Sequence, residues 1–270
     1  MENKELFKSI MADVNKYVIK NGNPIIILDD HYMREVMTLY AKQHNLIEST
    51  LLLLDNNHNE EAYVLARSVL NNYFLIGYLL NDRDGRRLKE YRIQPLLSGI
   101  KDLRNIKKAL KRPIIKNLEE KGKSLPFTKT DINRKLKELT KKIEDEGFTA
   151  KRDLLKIKDI ATKSDEKGLE LYITFYAQGS KYEHSDISTL DIYKTPVLDD
   201  YDKNDVFIMS TDATNENLGN TVYSIVVQSY LDSLFKIIDK ITNEDQQLRI
   251  NFDEDKLSDI FIKATNLLNI

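Results

Sequence analysis

The sequence predicts an all-α fold, a multi-helix bundle around a central buried helical hairpin. Three observations carry that expectation. Turn-formers are scarce, with nine Gly and five Pro in 270 residues, while Leu, Ile, Lys and Glu abound. Apolar residues recur at helical spacing along most of the chain. Residues 62–81 are mostly apolar, with Arg67 as their one charged residue. A helix that is hydrophobic nearly all round belongs at the centre of a bundle.

Leu6, Ile10, Val14, Tyr17 and Val18 mark a first helix, stopped by Asn21-Gly22-Asn23-Pro24. Residues 24–28 read as a short strand or an extended lead-in, and Asp29-Asp30 as an N-cap. Met33, Val36, Met37, Tyr40 and Ile47 place a second helix to about 54. A polar turn at 56–59 then joins it to a third over 60–80, which makes the hairpin. After the break at Asp82-Arg83-Asp84-Gly85, a fourth helical region runs to 112, interrupted at Pro95 and stopped by Pro113. Residues 121–126 read as a loop, 130–146 as a charged amphipathic helix ended by Gly147, and 151–160 as a shorter helix. Ser164-Asp165-Glu166 caps the helix of Tyr172, Tyr176 and Ser180, with Leu169, Tyr172, Ile173 and Tyr176 expected to face inward. Residues 184–215 are irregular, apart from a small strand at 206–209 that could pair with 25–28. Helices over 216–241 and 256–268 close the chain. The organisation expected is one helical domain over 1–270 with a charged, mobile insert at about 113–162.

Cysteine is absent, so disulfides, thiol catalysis and thiolate metal sites are excluded. No secretory signal or bilayer-length apolar span is read, and a cytoplasmic location without membrane association is expected. Net charge is only −2 but unevenly spread. From Arg86 to Lys123 there are thirteen basic and four acidic residues; from Asp186 to Asp205 there are two basic and six acidic. Such a chain can dock a polyanion, dimerise, or pair its own regions.

Two constellations are candidates for chemistry. Arg67 cannot lose its proton and is expensive to bury, so it needs an acidic partner or lines a cleft as an anion clamp. Tyr176, Ser180 and His184 stand at steps of four, which aligns a phenol, a hydroxyl and an imidazole on one helical face. The structural alternatives are an ion pair for Arg67 and a C-terminal cap for His184. Gly179 points to a close backbone approach or to the helix ending. Separately, Lys101, Arg104, Lys108, Lys111 and Arg112 fall within a third of a helical wheel, a basic stripe suited to a phosphate backbone. The four histidines are scattered, no metal ligand set recurs, and no phosphate-cradling glycine loop occurs, so neither metal nor cofactor is expected.

Ala62-x-x-Leu65-x-Arg67-Ser68-x-Leu70, with Tyr176-x3-Ser180-x3-His184 downstream, resembles a bacterial family catalogued only as a domain of unknown function. Asn71 stands where that family commonly carries an acid. The arrangement is also similar to HEPN-type helical ribonucleases and abortive-infection proteins, which cleave RNA without metal through an arginine and a histidine. In those proteins the two residues share one helix; here Arg67 and His184 are far apart in sequence. The resemblance implies RNA binding or cleavage, in phage defence, with Arg67, Tyr176, Ser180 and His184 as the catalytic set. The rival expectation is a non-enzymatic sensor or adaptor that dimerises or binds a protein partner.

Overall fold

The computed structural model describes residues 2–20, 31–113, 128–184, 187–196, 207–209, 214–243 and 252–268. The fold is all-α, with one short two-stranded ribbon among the described residues. The described chain divides into two compact units, Met1–Asn81 with Ile157–Ile270, and Asp82–Lys156.

In the first unit, α1 (Glu2–Val14) passes into a π-helical turn, Asn15–Ile19. The central hairpin forms as expected from α2 (Met33–Asp55) and α3 (Asn59–Leu80). Its turn is closed by Asn57 at φ 59°, a left-handed conformation that asparagine tolerates, and by the His58 amide donating 2.9 Å to the Leu53 carbonyl. Glu60 and Glu61 in the first turn of α3 suit the positive end of its dipole. The Asn21–Pro24 stop, the 24–28 strand and the Asp29-Asp30 cap lie outside the described residues.

The downstream helices surround α3. They are α7 (Ile157–Ser164), then α8 (Glu166–Leu171), a π-helical turn at Tyr172–Tyr176 and α9 (Ala177–Glu183) as one continuous run, and α11 (Glu216–Asn243). The hairpin partner α2 and helices α7, α9 and α11 all pack on α3, and α12 (Glu254–Leu268) packs on α1. The core fills with Tyr40, Tyr73, Tyr78 and Tyr230 and with Phe7 and Phe74, all essentially inaccessible. Gly77 allows α7 to come close, since a Cβ there would sit 2.6 Å from Ser164 Oγ.

Several expectations are corrected. The short helix set at 151–160 starts instead at Ile157 and runs to Ser164. Residues 152–156 carry no regular secondary structure, and the Leu155 amide donates 2.8 Å to Gln94 Oε1. The strand at Phe207–Met209 forms, but its antiparallel partner is Lys194–Pro196, with Lys194 opposite Met209. These two strands, β1 and β2, follow α10 (Ile187–Leu190) and the 3-10 turn Asp191–Tyr193.

The second unit holds α4 (Arg86–Arg92), α5 (Gln94–Ala109) and α6 (Lys129–Asp145). Pro95 in the first turn of α5 separates it from α4, as the sequence leads one to expect. Ile93, Leu97, Ile100 and Ile143 form its buried core, with Leu136, Leu139, Phe148 and Leu154 packed around. Thr128 and Asp131 make a reciprocal capping box, and Gly147 at φ 82° ends α6. No described helix is long and apolar enough to cross a membrane.

Candidate functional site

Arg67 lies in the middle of α3 and is only 8 % exposed. Its stem runs across Gly179 of α9, where a Cβ would stand 2.4 Å from Arg67 Cδ and 2.8 Å from Cγ. Gly179 is thus the close approach its sequence position suggests. Beyond it, Arg67 Nη1 forms an ion pair with Glu183 Oε2. The guanidinium carbon also lies 4.5 Å from the centre of the Tyr176 ring, a cation–π contact. A buried guanidinium needs such company, because removing two charges from water is costly unless both find close partners.

His184 caps the C-terminus of α9 with its amide donating 3.1 Å to the Ser180 carbonyl. Its ring is 74 % exposed, and its Nε2 lies 4.0 Å from the same Glu183 oxygen that holds Arg67. One carboxylate therefore stands between a buried, permanently charged guanidinium and a solvent-facing imidazole. Residues 117 positions apart in the chain meet at one site. Ser180 is half-buried on the helical turn between Tyr176 and His184.

The inward face of this helix is not the one read from the sequence. Gly168, Leu171, Phe175 and Gly179 are buried, whereas Ile173 is 59 % exposed and Leu169, Tyr172 and Tyr176 are half-buried. Gly168 and Leu171 set this face before the π-helical turn at Tyr172–Tyr176, which takes in an additional residue and keeps the following steps of four in line with it. Continuing the buried row by four from Gly179 reaches Glu183. That acid is the functional residue sequence reasoning missed. Its signal was its place in this row.

Aromatic rings surround the cluster. Tyr63, one turn before Arg67, packs edge-on against Phe175 and Tyr182, with centroids at 4.1 and 5.0 Å. Its hydroxyl donates 2.8 Å to the Phe175 carbonyl within the wide turn. Burial, and then the neighbouring Tyr182, push its phenol up to about 12, against the pull of Arg67. Tyr182 is also shifted upward, by burial and then by Glu60. These phenols stay neutral near pH 7 and act as hydrogen-bonding, stacking walls. Next along α3, Arg67 Nε and Asn71 Oδ1 are buried without a hydrogen-bond partner among the described residues.

The basic stripe is altered by where α5 ends. Lys101, Arg104 and Lys108 are exposed on the helix, but α5 stops at Ala109. Tight turns follow, Lys111 amide to Lys108 carbonyl at 3.2 Å and Arg112 amide to Ala109 carbonyl at 2.9 Å. Pro113 disfavours helical geometry in the residue before it. Lys111 and Arg112 thus leave the helical row.

Chemically, the cluster can hold an oxyanion and move a proton. Glu183 is about half exposed and fills the place on Arg67 that a phosphate would take, and the imidazole beside it is open to solvent.

A family model described as a family of unknown function (DUF5677) matches residues 35–205. That span includes Arg67, Gly179, Glu183 and His184. No curated protein and no solved structure matches.

Proposed function

The chain belongs to that family of unknown function, and from its site we propose that it binds RNA and cleaves it without a metal at the Arg67–Glu183–His184 cluster. One observation carries this reading: a buried guanidinium and an exposed imidazole meet across a single carboxylate oxygen. The scissile phosphate displaces Glu183 from Arg67, whose planar fork matches two phosphate oxygens. His184 takes the proton of the attacking ribose 2′-hydroxyl as the new bond to phosphorus forms, and the bond to the 5′-oxygen breaks. That oxygen leaves as a hydroxyl with a proton from water, while the solvent-facing imidazolium returns its own proton to water. Tyr176 and Ser180 orient the groups on the same helix end. Lys101, Arg104, Lys108, Lys111 and Arg112 hold backbone phosphates, sequence-independently and with strong salt dependence. Phage defence is the setting we assign to such a nuclease.

A second reading rests on a different feature of the same cluster. Arg67 is already satisfied by Glu183 and Tyr176 and is packed against Gly179, as in a purely structural tie between α3 and α9. The protein is then a non-enzymatic adaptor that dimerises or binds a protein partner.

The experiment incubates purified protein with labelled single-stranded RNA and separates the products. The nuclease reading expects cleavage by the wild type and its loss in Arg67→Ala and His184→Ala. It further expects His184→Ala to keep the wild-type melting temperature, because that ring is exposed. Absence of cleavage, or cleavage unchanged in both variants, overturns it.

A further inference from the structure

The unit Asp82–Lys156 carries 23 basic and 12 acidic residues, a net of +11, while the remainder of the chain carries a net of −13. The structural division and the charge division coincide. Within the basic unit lies a cleft of about 680 Å³, lined by Arg86, Lys89, Phe148, Thr149, Lys151 and Arg152. Asp84 and Glu146 are the acids on its wall, so bases outnumber acids by four to two.

The cleft is built around a buried anchor. Glu90, only 5 % exposed, accepts a hydrogen bond of 2.7 Å from Arg152 Nη2 and lies 3.4 Å from Arg86 Nε. The Arg152 guanidinium carbon also sits 5.2 Å from the centre of the Phe148 ring. Phe148 is fixed in turn, packed on the unit's core and donating its amide 3.1 Å to the Ile143 carbonyl. One wall is therefore a guanidinium laid on an aromatic ring, both held in place before any ligand arrives. Lys89 and Lys151 are exposed and form no ion pair with any described residue. Asp84 is turned to its own backbone, accepting 3.1 Å from the Arg86 amide.

We infer that this cleft is a binding site for single-stranded RNA, distinct from the Arg67–Glu183–His184 cluster. Lys89 and Lys151 take two consecutive phosphates, and the Arg152–Phe148 wall receives a base. A positively charged groove with a stacking surface is the combination that single strands require. A net of +11 over 75 residues favours a long polyanion over a small anion. The inference rests on the RNA reading above but names a different set of residues, so the two can fail separately.

The test uses the full chain and a 5′-fluorescein 15-nucleotide oligouridylate, followed by fluorescence anisotropy over a salt series. Lys89→Glu/Lys151→Glu is expected to weaken binding at least tenfold. It should also reduce the slope of log Kd against log salt by about 1.4, two phosphates at roughly 0.7 each. Lys137→Glu/Lys141→Glu makes the same charge change on exposed positions of α6 and is expected to weaken binding less than threefold. Phe148→Leu, which keeps an apolar side chain on the unit's core but removes the ring, is expected to lose affinity without altering the slope. Equal losses in the two double variants overturn the site, as does displacement of the RNA by polyaspartate as readily as by unlabelled oligouridylate. His184-dependent cleavage with unchanged binding by the cleft variant refutes the cleft alone. Cleft-dependent binding without cleavage supports the cleft and refutes the nuclease.

Discussion

Gly179→Ala sets two opposite effects against each other at the site. Alanine is favoured over glycine inside a helix by about 1 kcal/mol. Taken alone, that would stabilise α9. The added Cβ, however, would fall 2.4 Å from Arg67 Cδ and 2.8 Å from Cγ. Those are atoms in the middle of the side chain, and its far end is held by Glu183 and Tyr176. The stem can move only by drawing the guanidinium off both partners. Stripping one partner from a buried pair costs about 3–5 kcal/mol, reduced here to about 2 because Glu183 is half exposed. Loss of the cation–π contact adds about 1 kcal/mol. The expected balance is destabilisation of about 2 kcal/mol. For a unit of this size that lowers the melting temperature by about 4–8 °C. Melting followed by circular dichroism measures it, with Arg67→Ala and the double variant completing a cycle. Without the arginine stem the new methyl has room, so in the Arg67→Ala background Gly179→Ala should stabilise by about 1 kcal/mol. Stabilisation by Gly179→Ala alone, or strictly additive effects, would refute the reasoning.

Two further outcomes follow from close packing and buried charge. Gly77→Ala places a Cβ 2.6 Å from Ser164 Oγ and 3.1 Å from its Cβ, so it should destabilise by about 1–3 kcal/mol, and Ser164→Gly in the same chain should recover most of that loss in a thermal melt. His44 is buried against Tyr230 at 2.8 Å, with Glu48 and Lys20 as its charged neighbours. Burial holds its imidazole below the ordinary 6.5 despite the opposing pull of Glu48. The unfolded chain therefore takes up the proton first as pH falls, so the His44 contribution is complete above 6.5 and is lost as pH drops through the lowered folded value. His44→Gln, which can keep the hydrogen bond to Tyr230, should show a shallower fall in melting temperature between pH 7 and 5. An unchanged slope counts against the assignment.

The parts of the fold legible in the sequence are those set by apolar content and by residues with a restricted backbone preference. The near-continuous hydrophobicity of α3 required burial on all sides, and α2, α7, α9 and α11 supply it. Pro95 and Gly147 marked breaks because each imposes a backbone geometry that few other residues share. The end of α5 was harder to place, since Lys111 and Arg112 continue the helical charge pattern while Pro113 already disfavours the helix.

Local sequence does not reveal the orientation of a helix that changes its own period. Leu169, Tyr172, Ile173 and Tyr176 are the inward set if every turn holds 3.6 residues. The π-helical turn at Tyr172–Tyr176 breaks that premise without any proline or glycine inside it to announce the change. Steps of four then stay aligned, and the row Leu171, Phe175, Gly179 and Glu183 faces α3, while Tyr176 reaches it from the flank through Arg67 and Phe74. This one-position rotation converts a candidate catalytic stripe into two adjoining ones. One delivers the carboxylate to Arg67; the other presents Tyr176 to the guanidinium face and His184 to solvent. Glu183 and His184 are neighbours in sequence but point to different sides. A cation from another helix and a solvent-facing imidazole can thus share one oxygen, whereas a strictly α-helical run from Leu171 would have turned Glu183 further from the Leu171 face.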